Sequence, residues 1–318
     1  MDVPCRAAVA VVALQVVHNS ATAAILLHPM AFVLQLLARL PLWLLHGAGA
    51  VLGWAVFLFS GSYRRRFLAN ARQAGLRASQ WRAAVAAAGC LTSELPRLWL
   101  GRPVPVRWEG AHWVDEALAH GRGVVFVTPH LGCFEIAAQA YAMRYGETHP
   151  MTALYRPARQ AWLARLEASA RARPGLHTAP TTLAGVKQML KALKRGECVG
   201  LLPDQVPPLH QGVWAPFFGQ AAYTMTLAAR LAQQTGAMSL LAWGERLPWG
   251  RGYVVHVLPT QAIAAASGDD AVVQMNHAVE ALILQHPGQY LWGYARYKQP
   301  RADLPPSADG RPQPPIAH

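Results

Sequence analysis

The chain has 318 residues, 53% of them hydrophobic and only 14% charged, with a formal net charge of +13. That length suits one large α/β domain or two small ones, and a core of that size needs no disulfide support. The balance is too apolar for an ordinary soluble enzyme and too polar for a multi-span transporter. Apolar character joined to positive charge favours a lipid surface over nucleic acid.

The first sixty residues are the most apolar. Residues 7–17 (AAVAVVALQVV) run to His18-Asn19-Ser20, and ATAAILLHPMAFVLQLLARL follows. Residues 41–60 carry no charge, are about long enough to cross a hydrocarbon core as a helix, and lead into Arg64, Arg65 and Arg66. By the positive-inside rule that end lies in the cytoplasm. The segment reads as a membrane helix, either spanning or lying in one leaflet; the alternative is an apolar helix packed on the domain. Residues 2–6 make a poor basic n-region, so no cleaved signal peptide is expected. Met1 and Met30 both fit as the start.

Residues 67–100 read as helical, with 81–100 as one amphipathic stretch, and 106–110 as a short edge strand. From there the chain alternates. Strands are expected at 123–128, 151–155, 198–204, 238–243 and 253–259, and helices at 134–145, 160–173, 183–196, 224–236 and 270–287. Strands separated by helices predict an α/β fold with a helix-covered, largely parallel sheet. The organisation is then an apolar membrane-associated segment over 1–66, a catalytic domain over 67–298 and a Pro-rich disordered tail over 299–318. Cys5, Cys90, Cys133 and Cys198 are scattered without a CxxC pair, which excludes a disulfide framework and a zinc site.

The stretch VVFVTPHLGCFE, from Val124 to Glu135, carries the chemistry. Ligands of open α/β sheets bind outside the carboxyl ends of strands. His130 stands at such an end, because Pro129 keeps Thr128 extended. Glu135 falls in the first turns of the following helix. A carboxylate accepting the N–H of one ring nitrogen leaves the other free to take a proton, so Glu135 is expected to orient His130. The His-x4-Glu spacing alone is weak. Three other segments strengthen it: LYRPARQ puts Arg156 at a second strand end, CVGLLPDQVP does the same for Asp204 and Gln205, and GVWAPFFGQAAYTMT reads as an apolar loop with Phe217, Phe218 and Gly219. Together they describe a site for a polar head and a greasy tail. The alternative for the FFG stretch is a core plug.

The ordered set TPHLGCFE, LYRP, LLPDQ and GVWAPFFG with YTMT closely resembles the lipid A biosynthesis acyltransferases, late enzymes that add lauroyl or myristoyl chains to a lipid A precursor. These belong to the lysophospholipid acyltransferase superfamily, marked by a His, four residues, then Asp or Glu. The resemblance runs over about 32–298. It implies His130 and Glu135 as the catalytic pair, Arg171 as an essential arginine (Arg173 lies two residues on), and Asp204 as the acidic residue of its block. Arg156, Gln205, Phe217, Phe218 and Gly219 are expected to bind substrate. The resemblance further implies an acyl carrier protein thioester as co-substrate with no cofactor or metal. It places the enzyme on the cell inner membrane, its catalytic domain on the cytoplasmic face. Two departures stand out. The residues before Met30 are not required by the family pattern, and PDQVPPLH replaces a more acidic, Gly-containing loop, which bears on acceptor specificity.

The expected reaction is acyl transfer without a covalent acyl-enzyme. His130 acts as the base, and the oxyanion is held by backbone N–H groups near Gly132 or by Arg171. The basic balance favours Arg171 as a grip on an acceptor phosphate over an oxyanion role. No GxSxG elbow is present, and the Cys133 thiol is expected to point away from the imidazole. The enzyme alternative is acylation of a lysophospholipid or amino-lipid. The non-enzyme alternatives are a silent membrane scaffold, which needs none of these residues together, and nucleic-acid binding, for which no known motif is present.

Overall fold

A computed structural model of the chain describes residues 29–158, 160–260, 266 and 268–300. The apolar run 7–17 and the tail from 301 onward lie outside the described residues. Seven strands form the main sheet: β1 (Val106–Glu109), β2 (Val124–Val127), β3 (Met151–Tyr155), β4 (Leu176–Pro180), β5 (Cys198–Leu201), β8 (Met238–Arg246) and β9 (Tyr253–Pro259). Their order is β1-β9-β8-β2-β5-β3-β4. All neighbours are parallel except β8 and β9. The expected α/β class is therefore observed as a mostly parallel, helix-flanked sheet.

The helices are α1 (Pro29–Ala38), α2 (Leu42–Phe59), α3 (Gly61–Gln73), α4 (Ala78–Ser93), α5 (Leu95–Leu100), α6 (Ala111–Ala119), α7 (Phe134–Tyr145), α8 (Ala161–Arg171), α9 (Leu183–Lys194), α10 (Leu227–Thr235) and α11 (Gly268–Gln285). All four residues of β2 are buried. Alternation sends Val125 and Val127 into the core on the α9, α10 and α11 side, and Val124 and Phe126 into a second core beneath α7. A strand buried on both faces reads as a continuous apolar run, which is how 123–128 was recognised.

Two local expectations are revised. The stretch 81–100 is two helices, because Pro96 sits in the first turn of α5 and Glu94 ends α4. The apolar loop around 212–226 is a hairpin, β6 (Gly212–Phe217) with β7 (Gln220–Met225), in a separate two-stranded sheet. Its two-residue turn has Phe218 at φ 48° and Gly219 at φ 75°, the pair of positive values that a type I′ hairpin requires. Helix α6 and strand β4 were not anticipated.

Helix α2 buries Leu42, Leu45, Gly49, Gly53 and Phe57, one stripe at helical spacing, against α4. The contact is backbone on backbone. A Cβ built on Gly53 would lie 2.1 Å from the Val85 carbonyl oxygen, and one on Gly89 1.9 Å from that of Gly49. Small residues four apart permit this approach. Both ends of α2 are held. Leu42 and Trp43 abut Gly250 in the turn before β9, and Phe57 packs its ring on Phe67 and Trp81. Trp43, Val51, Leu58 and Phe59 on its other face stay exposed.

In the second turn of α2, His46 Nε2 reaches Glu94 Oε2 at 3.2 Å. Glu94 is fully buried and takes a two-pronged ion pair from Arg246 of β8 at 2.6 and 2.8 Å, plus the Tyr253 hydroxyl at 3.0 Å. Burial alone would raise this carboxyl. Arg246 and His46 outweigh burial and hold it at about 2.

Candidate active site

The parallel strands β2, β3 and β5 deliver their carboxyl ends to one edge, and with them His130, Arg156, Asp204 and Gln205. His130 Nδ1 lies 2.8 Å from Asp204 Oδ1, and the backbone N–H of His130 donates to Asp204 Oδ2, also at 2.8 Å. The two-point contact fixes both the loop and the ring. A carboxylate on Nδ1 makes that nitrogen the N–H, so Nε2 carries the lone pair, and the Gln205 side-chain amide donates to it at 3.0 Å. Burial raises the Asp204 carboxyl. His130 and the buried Arg296 guanidinium outweigh it, so the group stays below the ordinary carboxylate range.

The carboxylate on the imidazole is thus Asp204, not the expected Glu135. Among the described residues no hydrogen bond joins Glu135 to His130. Glu135, buried in the first turn of α7, instead receives Arg171 Nε at 3.2 Å, Arg171 Nη2 at 2.8 Å and the Trp99 indole N–H at 3.0 Å. Arg171 comes from the last turn of α8 and lies over the Tyr155 ring at 4.6 Å. Its planar fork is occupied by Glu135, which revises the expected grip on a phosphate. Its Nη1 is buried and has no hydrogen-bond partner among the described residues. Arg173 turns to the backbone, donating to the carbonyls of Leu98 and Ala170.

The backbone donors expected at Gly132 are also spoken for. The N–H groups of Leu131, Gly132 and Cys133 donate to Pro129, Gln289 and Gly244 carbonyls. Gly132 itself has φ 61°, and a Cβ there would sit 2.0 Å from the Gly244 oxygen, so only glycine fits this turn. The Cys133 thiol is buried, and burial pushes it well above its ordinary range, which removes it as a nucleophile.

His130, Glu135, Arg156, Arg171 and Gln205 all line one cavity of about 790 Å³. Its walls belong to both cores. Phe126, Tyr141, Met151 and Val255 line a chamber between α7 and the sheet, while Leu190, Leu201 and Leu231 line a groove on the opposite face. The chamber residues are nearly sealed, whereas the groove opens past exposed Leu183 and Arg230. Phe217, Phe218 and Gly219 do not reach this cavity. Phe217 is buried in the core beneath Arg296, Phe218 packs on Trp292, and Gly219 completes the hairpin turn.

Sequence reasoning missed Trp99, Arg296 and Tyr290 as neighbours of the site. The last two belong to the stretch QYLWGYARYK, whose match to the family pattern was the available signal. Leu291 N–H there donates to the His130 carbonyl at 3.1 Å, clamping the loop from below.

Comparison with known proteins supplies the family. The family model of the bacterial lipid A biosynthesis acyltransferases matches residues 18–299. The chain belongs to that family. It is 29% identical over 217 residues to the lipid A biosynthesis lauroyltransferase of Escherichia coli K12, covering 66% of this chain and 68% of that protein. It is 28% identical to the lipid A biosynthesis palmitoleoyltransferase of the same strain and to lipid A biosynthesis acyltransferase 2 of Shigella flexneri. Those two matches span 60% and 59% of the respective relatives.

Proposed function

We propose that the protein moves a fatty acyl chain from an acyl carrier protein thioester to a hydroxyl of a lipid A precursor. The observation that carries this reading is the Asp204–His130 pair, whose Nε2, held by the Gln205 amide, belongs to a residue lining a largely apolar cavity of about 790 Å³. The acceptor hydroxyl displaces the Gln205 amide from Nε2 and gives its proton to His130 as its oxygen attacks the thioester carbonyl. Asp204 holds the ring and balances the imidazolium, the role expected of Glu135. Arg171 Nη1 is the donor available to the tetrahedral oxyanion, and Glu135 fixes that guanidinium in place. As the intermediate collapses, the C–S bond breaks and His130 returns the proton to the departing thiolate. The thioester is already activated, so the step uses no metal and no cofactor. Exposed Arg156 and Arg230 at the cavity suit an acidic carrier and a phosphorylated glycolipid.

The same reading places the exposed apolar face of α2 in the cytoplasmic leaflet of the inner membrane. Trp43 and Trp249 lie exposed at one end of the helix and the Arg64–Arg65–Arg66 cluster follows the other. A helix fixed lengthwise along its own domain lies in one leaflet beside that domain. Deleting residues 1–60 bares the Gly89 face of α4 and strips Glu94 of His46. The truncated chain is expected in the insoluble fraction, checked by sedimentation with and without detergent. A soluble chain, fully active on membrane-borne acceptor, would leave α2 without a role.

The direct test is mass spectrometry of lipid A from cells with and without the chain, followed by transfer from acyl carrier protein thioesters in vitro. A lysophospholipid or amino-lipid gaining the acyl chain instead would move the activity to another acceptor. Two variants probe the roles. Asp204→Asn is expected to lower kcat on the order of a hundredfold or more, because an amide no longer fixes the tautomer that leaves Nε2 free. Arg171→Lys is expected to lower kcat on the order of a hundredfold with both KM values held, the signature of an interaction made only in the transition state. A rise in acceptor KM that disappears with a dephosphorylated acceptor would restore the phosphate role.

A further inference from the structure

Gly200 is the third residue of β5, the strand between β2 and β3 near the middle of the sheet. It pairs in register with Phe126 on one side and Ala153 on the other. Glycine inside a strand is destabilising relative to alanine and needs a reason. The usual reasons fail here. Gly200 is absent from the positive-φ residues, so the backbone does not demand glycine. Nor does a neighbouring backbone press on it: an added Cβ would meet only the Met151 sulfur, at 3.4 Å, an ordinary contact. By contrast, Gly132, Gly185 and Gly244 would each place a Cβ within 2.5 Å of a neighbour. What a side chain at Gly200 would enter is the cavity, which this residue lines.

The register gives the cavity a depth scale. Side chains on this face recur every second residue, about 6.6 Å apart along the strand. Thr128, at the end of β2, is at the mouth beside His130. Phe126, Gly200 and Ala153 make the next layer down. Cys198 and Met151 are paired in the layer below that, and Met151 is also paired with Leu176 of β4. Of these three only Phe126 is large; Leu240, in register with it on β8, does not line the cavity, and Thr178, in register with Ala153 on β4, does. The missing side chain at Gly200 is the opening through which a chain passes from the mouth to the deep layer, and the unbranched Met151 side chain lies directly beneath.

We infer that Gly200 is the specificity-determining position for acyl length, with Met151 as the floor against which the chain ends. This rests on the acyl-transfer reading above and adds to it which residues measure the donor. A side chain at 200 occupies the second layer and stops a long chain short, and a smaller residue at 151 deepens the chamber.

The test uses the full-length enzyme in detergent with acyl carrier protein thioesters graded from octanoyl to palmitoyl. Gly200→Val is expected to move the preferred chain to a shorter one. The ratio of kcat/KM for the wild-type optimum over a shorter chain should fall on the order of tenfold to a hundredfold, the range for a few methylenes in an apolar pocket. Met151→Ala, which does not touch the β5 backbone, is expected to shift the optimum to longer chains. Gly200→Ala guards against misfolding, because it adds one carbon at a contact of ordinary length. A uniform loss across all lengths in all folded variants, with the ranking unchanged, overturns the inference. A second readout separates it from the acyl-transfer reading: binding of free fatty acids of the same lengths, followed by intrinsic tryptophan fluorescence. Should wild type bind fatty acids with a length limit that both variants shift, yet transfer none, the length gate stands and the proposed reaction falls.

Discussion

Replacing His130 with alanine is expected to lower kcat by about a hundredfold to ten-thousandfold, the usual contribution of a positioned general base. The loss should fall on kcat more than on either KM, because the ring is one small part of a cavity whose apolar walls come from other elements. Asp204 keeps the backbone N–H of residue 130 and the nearby Arg296 charge, so the buried carboxylate is not left bare. His130→Gln is the companion variant. Its amide can donate to Asp204 in place of Nδ1–H, but it has no nitrogen lone pair to take a proton. It should fold at least as well as the alanine variant and be equally slow. Single-turnover transfer by folded His130→Gln within tenfold of wild type would put the base elsewhere.

Removing Glu94 is expected to cost about 3–5 kcal/mol of stability, because it leaves the Arg246 guanidinium buried and uncompensated. The acid dependence has a definite sign. The Glu94 carboxyl is held at about 2 in the folded chain, against an ordinary value of 4.5. Its contribution is therefore complete above about pH 4.5 and drains away as pH falls toward 2. Urea unfolding of detergent-solubilised wild type and Glu94→Gln should show a wide gap at pH 7 that narrows steadily below pH 4.5. A gap of constant width would mean that the pair is not what titrates. A double replacement of Glu94 and Arg246 by apolar residues of similar size should recover much of the loss, since the pair matters most when half of it is missing.

The place of His130 was legible because the fold speaks locally there. A continuous apolar run, a proline and a helix start fix a strand end within a dozen residues. The partner of the imidazole was not legible from spacing, because it is set by sheet order. β2 and β5 are neighbours only after folding, and Asp204 lies 74 residues from His130 in sequence. Glu135 is close in sequence, but α7 begins at Phe134, and the carboxylate in its first turn is taken by Arg171 and Trp99. Phe217 and Phe218 were misleading for a related reason. Aromatic composition reports that a ring is buried, not whether the burial is against a substrate or against Arg296 and Trp292. A Phe at positive φ in a type I′ turn carries no sequence signal, since Asn or Gly is the usual occupant. Strand β4 lies at the sheet edge, ends in Pro180 and holds His177 and Thr178 side by side, so it shows neither a continuous apolar run nor strict alternation.

The seam between α2 and α4 leaves no hinge between the helix with the exposed apolar face and the core of the described residues. Carbonyl oxygens and glycines touch along it, and both helix ends are pinned. With α2 in the leaflet as proposed, the protein would travel as one rigid raft whose opening keeps a constant height and tilt against the lipid. On that proposal reach is traded for aim: the glycolipid would arrive by sideways drift in two dimensions, already upright, and the soluble carrier alone would search in three.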